Sequence, residues 1–276
     1  MSTTTAADPS ASGATPSQHH GEALVVAWQH PVERSIRPIG LLRHDHGVYS
    51  FRYIEEARTV GDFRPLLGFE DLDREYRSEH LFPIFAQRAM DARRPDYAGY
   101  VRDLGLDPET ATPWEQITRS EGRRHGDVLQ LFPVPQVRSG RVRCAFFVHG
   151  IRHMPNNEPQ LGDRVFPVTP GAIEDAITHL SSGDPLELMA EPSNTRNPDA
   201  VVVLAHDVPL GYVPDLLAHD LTRLMARTSV RASVVRVNAP DAPGHQRLLA
   251  QVAADGVGDF QFFQDARWNE LGGPAQ

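Results

Sequence analysis

Ser120, His125 and Asp127 are close together in the chain and have the side chains of a nucleophilic triad. A hydroxyl, an imidazole and a carboxylate can together activate oxygen for attack on a carbonyl or a phosphate. The serine lacks the Gly-x-Ser-x-Gly elbow that usually presents such a nucleophile. Ser, Gly and Asp are also the residue types expected in a turn. We therefore interpret this segment as a turn, with a hydrolase as the alternative.

A second group with chemical potential is Cys144, His149 and His153. If the segment is one strand, the two histidines lie on the same face, because side chains alternate along a strand. Structural zinc takes four Cys or His ligands in most proteins. The three residues are one short of that set, so we expect no metal and no other cofactor. Zinc at these three residues is the alternative.

All 27 basic residues of this chain of 276 residues are arginine, and lysine is absent. P-loop nucleotidases and protein kinases hold phosphates with a lysine, and pyridoxal enzymes need a lysine amine. The composition therefore argues against those classes of enzyme. The net charge of −9 also argues against long, non-specific wrapping of nucleic acid. A small nucleic-acid site with a few arginines is compatible with this net charge.

The N-terminus is polar and has neither the basic start nor the apolar stretch of a secretory signal. No apolar run reaches the roughly 20 residues that a membrane helix requires. The single cysteine cannot form an intrachain disulfide, which is typical of a reducing compartment. We therefore expect a cytoplasmic protein without membrane association.

The element pattern predicts an α+β protein with two domains. Alternating apolar residues around the turn at His46 and Gly47 predict a β-meander, and helices follow it. Beyond a Pro- and Gly-containing stretch, short strands around an amphipathic helix predict a small barrel or α+β domain. The predicted divisions are a disordered tail 1–21, an N-terminal domain 22–134, a linker 135–143, a second domain 144–266 and a C-terminal tail 267–276.

Three ordered blocks of the second domain resemble the HIRAN domain. They are FFVHGIRH (146–153), LELMAEPSNTRNPDAVVV (186–203) and LGYVPDLLAHDLTRLM (210–225). The resemblance implies an OB-like β-barrel with helices that captures the 3′ end of single-stranded DNA. In such a site an aromatic ring stacks on a base and arginine holds phosphate.

The resemblance also assigns roles to four residues. Arg152 corresponds to an arginine that contacts DNA, and His153 takes the place of an aromatic residue. Arg196 stands at the second stacking position, and Asn197 at the acid that meets the 3′ end. From the residue types alone, two roles are open for each position. Arg152 and His153 either form a solvated turn or contact a ligand, and Asn197 either caps a turn or contacts a ligand.

The N-terminal domain resembles, more loosely, the N-terminal subdomain of HipA-like proteins. The similar segments are IGLLRHDHGVYSFRYIEEA, YRSEHLFPIFAQRAMDARRPDY and SEGRRHGDVLQLFP. The kinase core that follows this subdomain in HipA-like proteins is replaced here by the HIRAN-like domain. The resemblance therefore implies a relative without catalysis, whose surface could dock a protein partner.

Taken together, the residues favour a protein that recognises a single-stranded nucleic-acid end without catalysis. One alternative is a protein-interaction adaptor that uses the N-terminal domain. A second is a metal-dependent hydrolase acting on nucleic acid. Arginine pairs at 93–94 and 123–124 could touch phosphate, although solvated arginines are common on such surfaces.

Overall fold

The structure is a computed structural model, and it describes residues 22–33, 35–122 and 128–272. The predicted tail 1–21 lies outside the described residues. The described chain is α+β, as the sequence predicts, with one antiparallel sheet of five strands in the N-terminal half and sheets of seven and two strands in the C-terminal half. Within the described part of the chain, no helix is both long and apolar enough to cross a membrane.

The N-terminal sheet is a meander with the strand order β4-β3-β2-β1-β5. His46 and Gly47, both at positive φ, form the turn between β2 and β3, as predicted. The strands are β1 (Glu22–Gln29), β2 (Ile36–Asp45), β3 (Val48–Tyr53), β4 (Tyr76–Ser78) and β5 (Leu129–Pro133).

The helices of the N-terminal half are short, with four to eight residues each. Pro83 stands at the first turn of one helix, and the segment around Pro95 separates it from the next. Thr112 and Glu115 form a capping box that begins the last helix. The helices are α1 (Glu56–Thr59), α2 (Pro83–Ala86), α3 (Tyr97–Asp103) and α4 (Pro113–Ser120).

The C-terminal half contains a sheet of seven strands in the order β12-β11-β10-β13-β14-β7-β6. Just beyond β7, His149 and Tyr212 exchange two backbone hydrogen bonds of 2.8 Å. This bridge joins the end of β7 to β12, the strand at the opposite edge of the sheet. The sheet is therefore strongly curved. Its strands are β6 (Gln136–Arg138), β7 (Arg141–Phe147), β10 (Pro185–Ala190), β11 (Val201–Ala205), β12 (Val208–Tyr212), β13 (Val230–Val237) and β14 (Leu248–Asp255). Strands β8 (Gln160–Leu161) and β9 (Arg164–Val165) form a separate antiparallel pair.

Two helices accompany this sheet, and the second is the amphipathic helix that the sequence predicts. Helix α5 (Pro170–Thr178) begins at Thr169, whose side chain accepts from the backbone of Ala172. Helix α6 (Asp215–Met225) begins after Pro214 and buries one apolar stripe against the core. The buried stripe comprises Leu217, Ala218, Leu221 and Leu224.

The two halves pack tightly together. On one face of the N-terminal sheet, Val25 and Leu41 join the large apolar core of the C-terminal half. On the other face, Leu24 and Phe51 belong to a core that the N-terminal helices cover. In addition, α3 packs through Leu104 on the C-terminal sheet. Each half therefore covers apolar surface of the other.

The segments that separate the predicted domains take part in this packing. Residues 136–138 of the predicted linker form β6, which pairs with β7. From the predicted C-terminal tail, Leu271 is buried in the core of the N-terminal half. The division into domains remains a prediction, and its boundary segments are structured in the described chain.

Candidate functional site

Arg152 and His153 lie in a 3-10 turn (Ile151–Asn156) that leaves the end of β7. Gly150 begins this turn at φ +70, a conformation that suits glycine. A Cβ at Gly150 would be 3.3 Å from the ring of Tyr212, so the chain passes close to that ring. Both Arg152 and His153 are exposed. The turn thus directs them away from the core.

Arg196 and Asn197 lie in the loop between β10 and β11. The side-chain oxygen of Asn194 accepts from the backbone N–H groups of Arg196 (3.0 Å) and Asn197 (3.2 Å). Asn197 donates to Asp215 (3.1 Å) and accepts from the backbone of Asp199 (3.0 Å). These Asx-type contacts fix the loop. They leave Arg196 exposed at its tip.

The carboxylate of Glu191 connects the turn and the loop. It is 5% exposed and accepts from the hydroxyl of Tyr212 (3.1 Å), the amide of Asn194 (2.7 Å) and the backbone N–H of Gln160 (3.0 Å). Among the described residues no arginine or histidine forms an ion pair with it. Neutral donors therefore hold this buried carboxylate, as buried charge requires.

Tyr212 is the second component of this connection. Its backbone pairs with His149, its ring lies against Gly150 and its hydroxyl donates to Glu191. Burial raises the pKa of Tyr212 to about 12, and the neighbouring Glu191 carboxylate adds to the shift. The hydroxyl is thus kept protonated as a donor. Tyr212 thus supports the turn through its ring and the loop through its hydroxyl.

A further contact supports Arg152. Its side chain lies over Gly244, where an added Cβ would stand only 2.4 Å from the Arg152 Nε atom. Among the described residues, neither Arg152 nor Arg196 has an ion-pair partner. Their guanidinium groups are therefore available to an external anion. Composition alone does not identify this, because pairing depends on residues distant in the chain.

The three residues considered for zinc lie in different environments. The expectation that His149 and His153 share a strand face is wrong, because Gly150 ends the extended backbone between them. His149 Nε2 lies 3.0 Å from a carboxylate oxygen of the buried Glu121. Burial raises the pKa of the Cys144 thiol to about 12, with a contribution from Glu121. In the described part of the chain, no group of three or more His, Cys, Asp or Glu residues is arranged to hold a metal.

The triad considered above cannot be assembled from the described residues. Ser120 ends α4, is buried, and accepts a hydrogen bond from the backbone of Gly122 at 3.2 Å. His125 and Asp127 lie outside the described residues, as do Arg123 and Arg124. Ser120 therefore has a structural contact of its own in the turn that follows α4.

Comparison with known proteins identifies one family model in the chain, the HIRAN domain, over residues 142–254. A crystal structure of a Lactobacillus plantarum protein is similar with 18% identity and a TM-score of 0.29, over 42% of this chain and 97% of that chain. The crystal structure of the HIRAN domain of human HLTF is similar with 12% identity and a TM-score of 0.26, over 43% and 79% respectively. No curated protein matches the chain. The family model and the three blocks agree in position, and the chain contains a HIRAN domain at residues 142–254.

Proposed function

We propose that the HIRAN domain binds the end of a single-stranded nucleic acid and that this protein recognises the end without chemistry of its own. The observation that carries the proposal is that the guanidinium groups of Arg152 and Arg196 are exposed and form no ion pair with any described residue. They stand on the turn and the loop that Glu191 connects. We propose that these two cations act together on one surface of the domain.

Guanidinium suits this role for two reasons. Its planar set of N–H donors binds phosphate oxygens in pairs, and its flat face can stack on a base. His153, next to Arg152 in the exposed turn, offers a flat aromatic ring for stacking. Arg152 is the residue proposed to bind phosphate, and His153 and Arg196 are proposed to stack.

Asn197 has a more limited role in the proposed site. Its amide nitrogen donates to Asp215, while its side-chain oxygen accepts from the backbone of Asp199. That oxygen has a second lone pair, which can accept from a terminal hydroxyl. Asn197 therefore both fixes the loop and offers one acceptor to a 3′ end.

The charge of the surrounding domain predicts modest affinity. Residues 144–237 contain seven arginines and eleven acids, so long-range attraction for a polyanion is absent. Binding then depends on a few direct contacts, and few counterions are released. Recognition of an end, rather than coverage of a long strand, matches a site of this size.

The test is fluorescence anisotropy with labelled single strands that carry a free 3′-hydroxyl or a 3′-phosphate, and with a blunt duplex, each as DNA and as RNA. We expect the free 3′-hydroxyl strand to bind most tightly. Arg152→Ala and Arg196→Ala should each weaken binding about tenfold, the loss of about 1.4 kcal/mol.

Arg138→Ala is the matched control. Arg138 is also exposed and lies at the opposite end of β7 from the proposed site. It should bind like the wild type. Equal binding of all three strands, or none, would contradict end recognition and favour the protein-interaction alternative. Product formation from the strand, sensitive to a chelator, would contradict the absence of catalysis.

A further inference from the structure

The last described residues of the chain cross over to the N-terminal sheet. We call residues 266–272 the C-terminal strap. The backbone N–H of Glu55 donates to the carbonyl oxygen of Asn269 (2.8 Å). The backbone N–H of Leu271 donates to the carbonyl oxygen of Tyr53 (2.9 Å). Glu270 forms an antiparallel bridge with Ile54. The strap is thus hydrogen-bonded as a short strand.

The position of this strand is informative. Along the same edge of β3, β4 pairs only with residues 49–51. The strap pairs immediately beyond that point, at residues 53–55. Without the strap this part of the edge would present unpaired backbone groups, which is how sheet edges accept extended peptides.

Side chains give the edge its specificity. Arg43 contacts both carboxylate oxygens of Glu270, at 2.8 Å and 2.6 Å. Arg52 donates to the carbonyl oxygen of Leu271 at 3.1 Å. The Leu271 side chain is 2% exposed in the N-terminal core. The edge therefore recognises an acidic residue followed by leucine in an extended segment.

The strap is closely packed at its last residue, Gly272, and borders a groove along one side. A Cβ added to Gly272 would stand 1.5 Å from the backbone oxygen of Asp73, so only glycine fits there. Beside the strap lies a groove of about 740 Å³, lined by residues of both the strap and the N-terminal sheet. Residues 264–267, which include the first two residues of the strap, are exposed. The strap thus begins at the surface and is anchored by two buried side chains, Trp268 in the core of the C-terminal half and Leu271 in that of the N-terminal half.

We infer that this edge of the N-terminal sheet is a peptide-binding site and that the C-terminal strap is its exchangeable ligand. The partner that it fits is a second copy of the same segment, Asp-Ala-Arg-Trp-Asn-Glu-Leu-Gly (265–272). This inference is independent of nucleic-acid binding, because none of its contacts involves the HIRAN turn or loop.

The test uses a fluorescent peptide of residues 265–272 and the full chain. A protease recognition sequence inserted between Gln264 and Asp265, where the chain is exposed, allows the strap to be cut after folding. We expect the cut chain to retain its strap on gel filtration and to exchange it for excess labelled peptide. Adding Arg43→Ala should weaken that uptake at least tenfold.

Gly272→Ala should displace the strap without cutting and admit the peptide. Gly256→Ala is the matched control, since Gly256 has the same φ of +67 but no atom within 4 Å of an added Cβ. The uncut wild type and Gly256→Ala should exclude the peptide. If neither the cut chain nor Gly272→Ala takes it up, or if Arg43→Ala leaves uptake unchanged, the inference is wrong.

Discussion

Two arginine-bearing surfaces of this molecule differ in what their guanidinium groups contact. Beside the C-terminal strap, Arg43 pairs with Glu270 and Arg52 with Glu75. On the HIRAN domain, Arg152 and Arg196 have no carboxylate partner among the described residues. The first pair holds the chain together, and the second remains available to a ligand. The arginines of these two surfaces therefore differ in their ion pairing and not in their residue type.

The two surfaces also differ in their carboxylates. Glu270 is half-buried and its charge is balanced by Arg43. Glu191 is buried and, among the described residues, accepts hydrogen bonds only from neutral donors. A charge without a counterion is costly to bury unless its hydrogen bonds are complete. Glu191 therefore ties the turn and loop of the proposed site into one unit.

The largest expected effect is on stability at this carboxylate. Glu191→Ala should lower the free energy of unfolding by about 3 kcal/mol, because it leaves three donors without their charged acceptor. Glu270→Ala should cost only about 1 kcal/mol, because its ion pair is partly solvated. Urea denaturation of both variants measures the difference. Equal losses would mean that the Glu191 network is no more structural than the strap.

The second expected effect is an opposite response of the two surfaces in stability and in nucleic-acid binding. Arg43→Ala should lower the free energy of unfolding by about 1 kcal/mol and leave nucleic-acid binding unchanged. Arg152→Ala should weaken binding, while its unfolding free energy should stay within about 0.5 kcal/mol of the wild type. The same urea and anisotropy measurements serve both variants. A large loss of stability in Arg152→Ala would show that Arg152 is structural as well.

Salt dependence refines the assignment of Arg152 to phosphate. Each phosphate contact on a single strand contributes about 0.7 to the slope of log affinity against log salt. Arg152→Ala should reduce the slope by about that amount, and Arg138→Ala should not change it. Binding titrations between low and moderate salt give the slopes. An unchanged slope with weaker binding would assign Arg152 to stacking instead.

Local features of these surfaces could be predicted from the sequence. The turn after Gly150, the loop before β11 and the start of α6 follow from glycine, asparagine and proline at fixed positions. These signals act over a few residues, so one sequence is enough to identify them. The exposed positions of Arg152, His153 and Arg196 agree with the prediction of a solvent-facing turn and loop.

Contacts between distant residues could not be predicted in the same way. Arg43 and Glu270 are 227 residues apart, and nothing near either residue names its partner. Likewise, Glu191 and Tyr212 were recognised as parts of sequence blocks, but their hydrogen bond depends on how β10 and β12 are arranged. Long-range pairing depends on the whole fold. The paired arginines beside the strap and the arginines of the proposed HIRAN site can therefore be distinguished only in the structure.

The last expected effect is confined to high pH. The pKa of Tyr212 is raised to about 12 in the folded protein, against about 10 in the unfolded chain. Below pH 10 both states keep the proton, so Tyr212 adds no slope to stability against pH. Between about pH 10 and 12 only the unfolded chain loses it, and the unfolding free energy falls as pH rises.

Tyr212→Phe should remove that part of the fall while keeping the ring against Gly150. Burial also raises the pKa of Tyr53, so the measurement is the difference between wild type and variant in urea denaturation across this range. A parallel pair of curves would mean that the Tyr212 hydroxyl ionises in the folded protein as readily as in the unfolded chain. The hydrogen bond to Glu191 would then not hold the HIRAN turn and loop together, and the two arginine surfaces would differ in their arginines alone.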